Sequence, residues 1–476
     1  MKSRRLALTL AAICLPASVA AFANPWSERV VTEHVDQSSL TGRLDFEALE
    51  ALRNKGEKLF DGRFTELDGV GRPFATQAII PTKRKRAPES GFFRTAGLDA
   101  NACSGCHNQP RLGGAGDFVT NVFVSEGFES ADFDSLDPQF SNERGSNHLF
   151  GAGLIELLAR EMTAELKEIR KATIAEARRT GQTATSRLSA KGVEYGTITA
   201  EPDGVLDLSG IEGVDADLVI RRFSQKGVMT SLRQFTVNAL NHHHGMQPVE
   251  RFGVRWTGER DHDGDRHDDE IVEGDVSAMV AWQATLAPPT VMEPDDAAWQ
   301  AAAARGRIRF DAVGCTACHK PALPLASLAF SDPGPSDMAG TLRAAEVAEP
   351  AVYDLALYDW ARKLPRNDKG EVMVPLYGDL KRHTIADQQV ATLGNELMAQ
   401  RFVERNVFMT GELWGVGSTD PYGHRNDLAT LDAVIRAHGG EGREARDRYV
   451  ALSDAERDDI IAFLKTLVIE PDEATK

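Results

Sequence analysis

Apolar and polar residues repeat along most of this chain with the period of a helix. Asp275-Val276-Ser277-Ala278-Met279-Val280-Ala281-Trp282 and Asp458-Asp459-Ile460-Ile461-Ala462-Phe463-Leu464 each place apolar side chains at helical spacing around one aromatic. Residues 162–180 interleave acids and bases at that spacing, which predicts an exposed, salt-bridged helix. Residues 192–208, with Val193, Tyr195, Thr197 and Ile198, predict a short hairpin. Extended period-two alternation is absent elsewhere. The expected class is therefore mainly α, with loop-rich insertions and little sheet.

The pattern also repeats. Lys55-Gly56-Glu57-Lys58-Leu59-Phe60 is echoed by Arg305-Gly306-Arg307-Ile308-Arg309-Phe310, with Gly four residues before Phe in both. Leu149-Phe150-Gly151-Ala152-Gly153 is echoed by Leu413-Trp414-Gly415-Val416-Gly417. The two aromatic-centred helices above close each copy. Three echoes in one order predict two alike lobes, 24–290 and 291–476, joined by the Pro-containing stretch at 287–295.

The first residues read differently. Lys2, Arg4 and Arg5 precede an apolar run at 6–19 and then Ala21-Phe22-Ala23, so residues 1–23 are expected to be a secretory signal peptide. The Arg pair also fits twin-arginine export. Ile13 before Cys14 is not the small residue of a lipoprotein cleavage site. No later run approaches the ~20 apolar residues of a spanning helix, so a soluble, periplasmic protein is expected. The formal charge of −17 argues against nucleic acid as partner and suits electrostatic steering of a basic electron-donor protein. Lys83-Arg84-Lys85-Arg86 is a local exception, either a solvated loop or a docking patch.

Of five cysteines, Cys14 falls in the leader, and the other four form Cys103-Ser104-Gly105-Cys106-His107 and Cys315-Thr316-Ala317-Cys318-His319. C-x-x-C-H is the attachment sequence of c-type haem: the thiols add to the porphyrin vinyl groups and the histidine ligates iron. Structural zinc and a thioredoxin-like redox pair are the rival readings. Two copies that use every remaining cysteine favour two covalent haems, held by Cys103, Cys106 and His107 and by Cys315, Cys318 and His319.

With these residues in place, the chain resembles the di-haem oxidoreductase family, relatives of bacterial di-haem cytochrome c peroxidases and the methylamine-utilisation di-haem enzymes. The resemblance spans roughly 44–467 and is strongest in residues 411–417, His424-Arg425 and 430–441. Tyr377-Gly378-Asp379-Leu380-Lys381-Arg382-His383 and Ser231-Leu232-Arg233-Gln234 also follow the family's order. His424-Arg425-Asn426-Asp427 departs from its usual His-Asp-Gly-Arg. The resemblance implies two class I cytochrome c-like lobes, His107 and His319 as proximal ligands, and a second-face ligand for the Cys315 haem at His438, where Gly439-Gly440 breaks the helix. His383, His424 and Met409 compete for that place. For the Cys103 haem it points to His244, within Asn241-His242-His243-His244-Gly245-Met246, with Met246 next.

Peroxide cleavage also needs a proton shuttle. Glu156, among apolar neighbours in residues 153–158, is the candidate, with a carboxyl pKa that burial would raise; a polar helix face is the alternative. Arg233 and Lys226 are candidates to hold propionates or developing charge. The acidic run 261–270 resembles a calcium loop, though Gly264 is fourth rather than sixth and Val272 occupies the twelfth place. The expected function is a periplasmic di-haem oxidoreductase, peroxidase-like, reducing peroxide or another small oxidant with electrons from a soluble or membrane-bound donor protein. A non-catalytic electron carrier and an oxidase of a protein or organic substrate are the alternatives.

Overall fold

The structure, a computed structural model, describes residues 26–70, 101–117, 119–124, 141–262, 264–394 and 403–470. Residues 1–23, expected to be a signal peptide, and the 83–86 basic cluster lie outside them. Eleven helices are described: α1 (Phe46–Asp61), α2 (Ala152–Thr180), α3 (Leu232–His244), α4 (Val249–Phe252), α5 (Val254–Thr257), α6 (Glu273–Thr285), α7 (Ala297–Ala312), α8 (Asp359–Arg362), α9 (Leu431–Arg436), α10 (Arg443–Ala451) and α11 (Asp454–Leu464).

The mainly α, two-lobed expectation is corrected here. Helix accounts for 39% and strand for 15%, giving a mixed α and β fold with several small sheets, and two cytochrome lobes are not shown. The sheets escape a periodicity reading because their strands are short and pair over long distances. Ala351–Asp354 runs antiparallel to Ala329–Asp332 and parallel to Gly42–Arg43, from the far end of the chain. The longest described strands are those of the hairpin of Ala184–Ala190 and Val193–Ala200, extended by Leu206–Asp207.

Two helix pairs organise the interior. α1 packs on α6 and α7 packs on α11. Each pair crosses at a glycine: a Cβ on Gly56 would collide with the Ala278 carbonyl, and one on Gly306 with the Asp459 carbonyl. Only glycine lets the backbones approach this closely. Capping fixes where these helices start, Asp45 accepting from the Ala48 N–H and Asp296 from the Trp299 N–H. α2 instead begins at Gly151, with φ +78, and its charged C-terminal half is exposed as the acid–base pattern predicts.

The larger hydrophobic core joins Leu49, Leu59 and Trp282 with Leu323, Tyr353, Leu376 and Trp414, so it includes side chains from both sides of position 290. A smaller core of Phe310, Tyr422, Tyr449, Ile460 and Phe463 backs the second C-x-x-C-H segment. Among the described residues no helix is long and apolar enough to cross a membrane.

Candidate functional site

Both C-x-x-C-H segments fold alike. Cys103–Gly105 and Cys315–Ala317 form one 3-10 turn each, and the His107 and His319 amides return to the Cys103 and Cys315 carbonyls. None of the four thiols is paired as a disulfide. Burial pushes the Cys103 and Cys315 thiols up to about 12, so both are neutral. A four-cysteine zinc site is not assembled. Among the described residues, the one His/Cys/Asp/Glu group converging within ligand range is Cys318, Asp379 and His383. His383 is itself tied up, 2.8 Å from Asp379 and 2.7 Å from Glu441, and is raised to about 11 against the lowering effect of burial. An imidazolium has no lone pair for a metal.

The second segment has the clearest geometry. His319 donates from Nδ1 to the Tyr377 carbonyl at 3.2 Å, and His438 donates from Nδ1 to the Val434 carbonyl at 2.8 Å. Burial lowers both, His319 to about 4, so both rings are neutral with the lone pair on Nε2. Their ring centres lie 6.5 Å apart. An iron bonded to one imidazole on each face at about 2 Å separates the ring centres by about 6 Å. The two rings are spaced to take one iron between them. The stop of α9 at Arg436, two residues before His438, turns the ring inward.

The competing residues are committed elsewhere. His424 stacks on Phe408 with centres 3.5 Å apart, donates to the Leu393 carbonyl at 3.0 Å, and is pushed down by burial to about 3. Met409 packs in the short pair of strands Arg382–Thr384 and Val407–Met409 and against Gly227.

The first segment opens on a cavity of about 350 Å³. Cys103, Cys106 and His107 line it, with Phe60, Leu232, Met279 and Gln283 from α1, α3 and α6. Residues Gly411, Trp414, Tyr422 and Asn426 close it from the C-terminal part of the chain. The two echoed glycine turns meet here: a Cβ on Gly151 would strike Trp414, and one on Gly415 would strike His148. His107 donates from Nδ1 to the Gly114 carbonyl at 3.1 Å and is lowered to about 4, chiefly by burial, with His243 contributing.

His243 and His244 both line this cavity. His244 Nε2 lies 3.4 Å from Cys103 Sγ, beside the attachment thiol. His243 lies close enough to His107 to contribute to the lowering of that ring's pKa. The side chain of His242 lies outside the described residues. Met246 is fully buried in the larger core.

A polar wall faces the thiols. Arg144, Arg222, Ser224, Gln225 and His148 line the cavity, and Arg222 pairs with Glu412. Ser224 Oγ, Gln225 Oε1, His148 Nδ1 and Trp414 Nε1 are sealed from water with no hydrogen-bond partner. Ser224 also holds φ +67, an uncommon cost for a residue other than glycine. Ser224 Oγ and Trp414 Nε1 are buried donors without an acceptor, and with the Cys103 and Cys106 thiols and the neutral His107 ring they fit a haem, whose propionates would supply acceptors and whose ring would fill the apolar part. These residues were missed in the sequence, where nothing marks a strained Ser or a buried ring nitrogen without a partner.

Glu156 and Arg233 do not line the cavity. Glu156 accepts from the Leu232 N–H at 2.7 Å and from Arg160 at 2.5 Å, tying α2 to the start of α3. Burial raises it to about 7 despite Arg160. Arg233 is fully buried in a separate cluster with Glu250, Asp332 and Ser277. Lys226 donates to the carbonyls of Glu404, Arg405 and Val407 and sits 3.6 Å above Phe408. In the acidic run, Asp261 caps the Gly264, Asp265 and Arg266 amides of its own turn, Asp269 pairs with Arg260, and Asp263 lies outside the described residues.

No family model and no curated protein matches the chain. Among solved structures it is similar to hydrazine synthase of Kuenenia stuttgartiensis, with TM-score 0.35 and 12% identity over 96% of this chain and 100% of that one. It is also similar to a MauG-like protein associated with microbial copper homeostasis, with TM-score 0.27 and 15% identity over 57% of this chain and 78% of that one. Likeness at this level is coarse, and the functional reading rests on the site itself.

Proposed function

We propose that this chain is a haem-dependent oxidoreductase carrying two covalent haem c groups, peroxidase-like in its reaction and exported to the periplasm by residues 1–23. The observation that carries the reading is the His319–His438 pair, two neutral imidazoles spaced for one iron beside a C-x-x-C-H turn. When bound, the haems supply one-electron storage and, at an iron with a displaceable face, a Lewis-acid position for a peroxide oxygen.

The chain's own residues do the rest. Cys103 and Cys106, and Cys315 and Cys318, form the thioether links. His107 and His319 are fixed as Nδ1–H tautomers by backbone carbonyls, which orients Nε2 for iron and raises its basicity. His438 closes the second site and makes it the electron-storing one. The first site keeps a cavity, with His243 and His244 on its wall, and is the one assigned to peroxide. Phe60, Leu232 and Met279 exclude water there, while Arg144 and Arg222 offset carboxylate charge in a buried setting.

The test is the mass of the purified, denatured chain made in a host that attaches haem c. The expected result is a chain heavier by two haems, and by one in the Cys103→Ala/Cys106→Ala variant. A denatured chain that carries no haem contradicts the proposal.

A further inference from the structure

A line of aromatic side chains leaves the first site. Phe60 lines the cavity, with its ring centre 6.0 Å from that of His107. Trp282 follows at 4.3 Å from Phe60, buried and packed toward Gly113 in the turn after His107. One helical turn on from Trp282, Thr285 meets the hydroxyl of Tyr358. That hydroxyl donates to Glu50 Oε1 at 2.6 Å. Tyr358 then stacks on Trp360, centres 6.1 Å apart, and meets Phe46 edge-on at 5.8 Å.

These last rings are the walls of an open cleft of about 480 Å³, completed by Leu357, Asp359 and Arg362. Phe46 is 50% exposed there. Nothing in the core requires a tyrosine to keep a carboxylate partner at this place, since phenylalanine would fill the same volume. A Tyr–Glu pair does have a chemical use: the carboxylate takes the phenolic proton when the ring gives up an electron.

We propose that the Phe46–Tyr358–Trp360 cleft binds a planar, electron-rich phenol or hydroquinone and passes its electrons to the first site through Tyr358 and Trp282, with the Phe60 ring packed between Trp282 and His107. The inference rests on the haem reading above and names its donor class. Flat aromatic walls favour a flat aromatic guest. In each relay step Tyr358 loses its electron inward and its proton to Glu50, and Glu50 releases that proton to solvent. The bound donor then gives Tyr358 one hydrogen atom, electron and proton together. Two such steps supply the two electrons that, with two protons, convert one peroxide to two waters, and two donor radicals leave.

The experiment uses holoprotein, peroxide and hydroquinone as probe, read by freeze-quench electron paramagnetic resonance and by the iron's optical spectrum. The parent is expected to show a tyrosyl radical after peroxide that hydroquinone removes. Tyr358→Phe should lack that radical and oxidise hydroquinone at least tenfold more slowly, with the same haem content and the same iron response to peroxide. Trp360→Ala should weaken hydroquinone binding while keeping the radical. A Tyr358→Phe protein that keeps both radical and rate overturns the relay and leaves the haem reading standing. A parent iron that does not respond to peroxide overturns the reading itself, and the relay with it.

Discussion

Replacing Gly306 with alanine tests the close crossing of α7 and α11 that holds the second site. The added Cβ would overlap the Asp459 carbonyl oxygen by roughly 1.5 Å relative to ordinary C···O contact. Both partners are backbone, so no side chain can rotate away and the helices must part. Overpacking of this kind costs about 3 kcal/mol, and the better helix propensity of alanine returns about 1 kcal/mol. The net loss of about 2 kcal/mol lowers a urea midpoint by about 0.7 M at a slope of about 3 kcal/mol/M. Phe310 rides on the same helix, with its ring centre 6.3 Å from His319 and 5.5 Å from Phe463. The optical spectrum of the second haem should therefore shift as well. Gly411→Ala is the control, because a Cβ there meets nothing within 4 Å. A Gly306→Ala protein as stable as that control, with an unchanged spectrum, refutes the crossing argument.

Arg233→Met leaves Glu250 and Asp332 buried without their cation, and should cost about 3–5 kcal/mol in chemical denaturation while both haem spectra stay put. A spectral change at the first haem would instead place Arg233 at the site. Glu156 has a folded pKa of about 7, raised by burial from 4.5. The folded state therefore holds a proton that the unfolded state has lost, and this contribution to stability is present below pH 4.5 and disappears as pH rises to about 7. Relative to Glu156→Gln, the parent should lose up to about 3 kcal/mol across that window; a flat difference between the two refutes the raised pKa. His424 has the opposite sign, its folded pKa of about 3 lying below the model-peptide 6.5, so the parent loses stability relative to His424→Phe as pH falls from 6.5. Thermal midpoints of the pair at pH 7 and pH 5 check it.

The two C-x-x-C-H segments were more legible than the fold, and both form the same 3-10 turn. C-x-x-C-H is a local covalent clamp, so its five residues carry their meaning without help from the rest of the chain. Gly56 and Gly306 were visible as an echo, and in the structure both sit where two helix backbones touch. Strands such as Leu323–Leu325 and Val372–Val374 are too short for alternation to register, and their pairing is set by tertiary packing. Among three consecutive histidines, the sequence marks the cluster but not which ring faces His107, because successive helical residues point about 100° apart. Glu156 was legible as a buried carboxylate. Its partners were half legible, since Arg160 stands one helical turn away, whereas the Leu232 N–H comes from the start of α3, far along the chain.

The central claim is that one iron is closed by two imidazoles and the other is open to peroxide. Electron paramagnetic resonance of the oxidised holoprotein, repeated at half reduction and with peroxide, measures this most directly. The account predicts one low-spin signal from the His319–His438 iron, lost in His438→Ala, together with a high-spin signal, present at once or on half reduction, that peroxide alters. Two low-spin signals that neither half reduction nor peroxide moves would contradict it and make the protein an electron carrier.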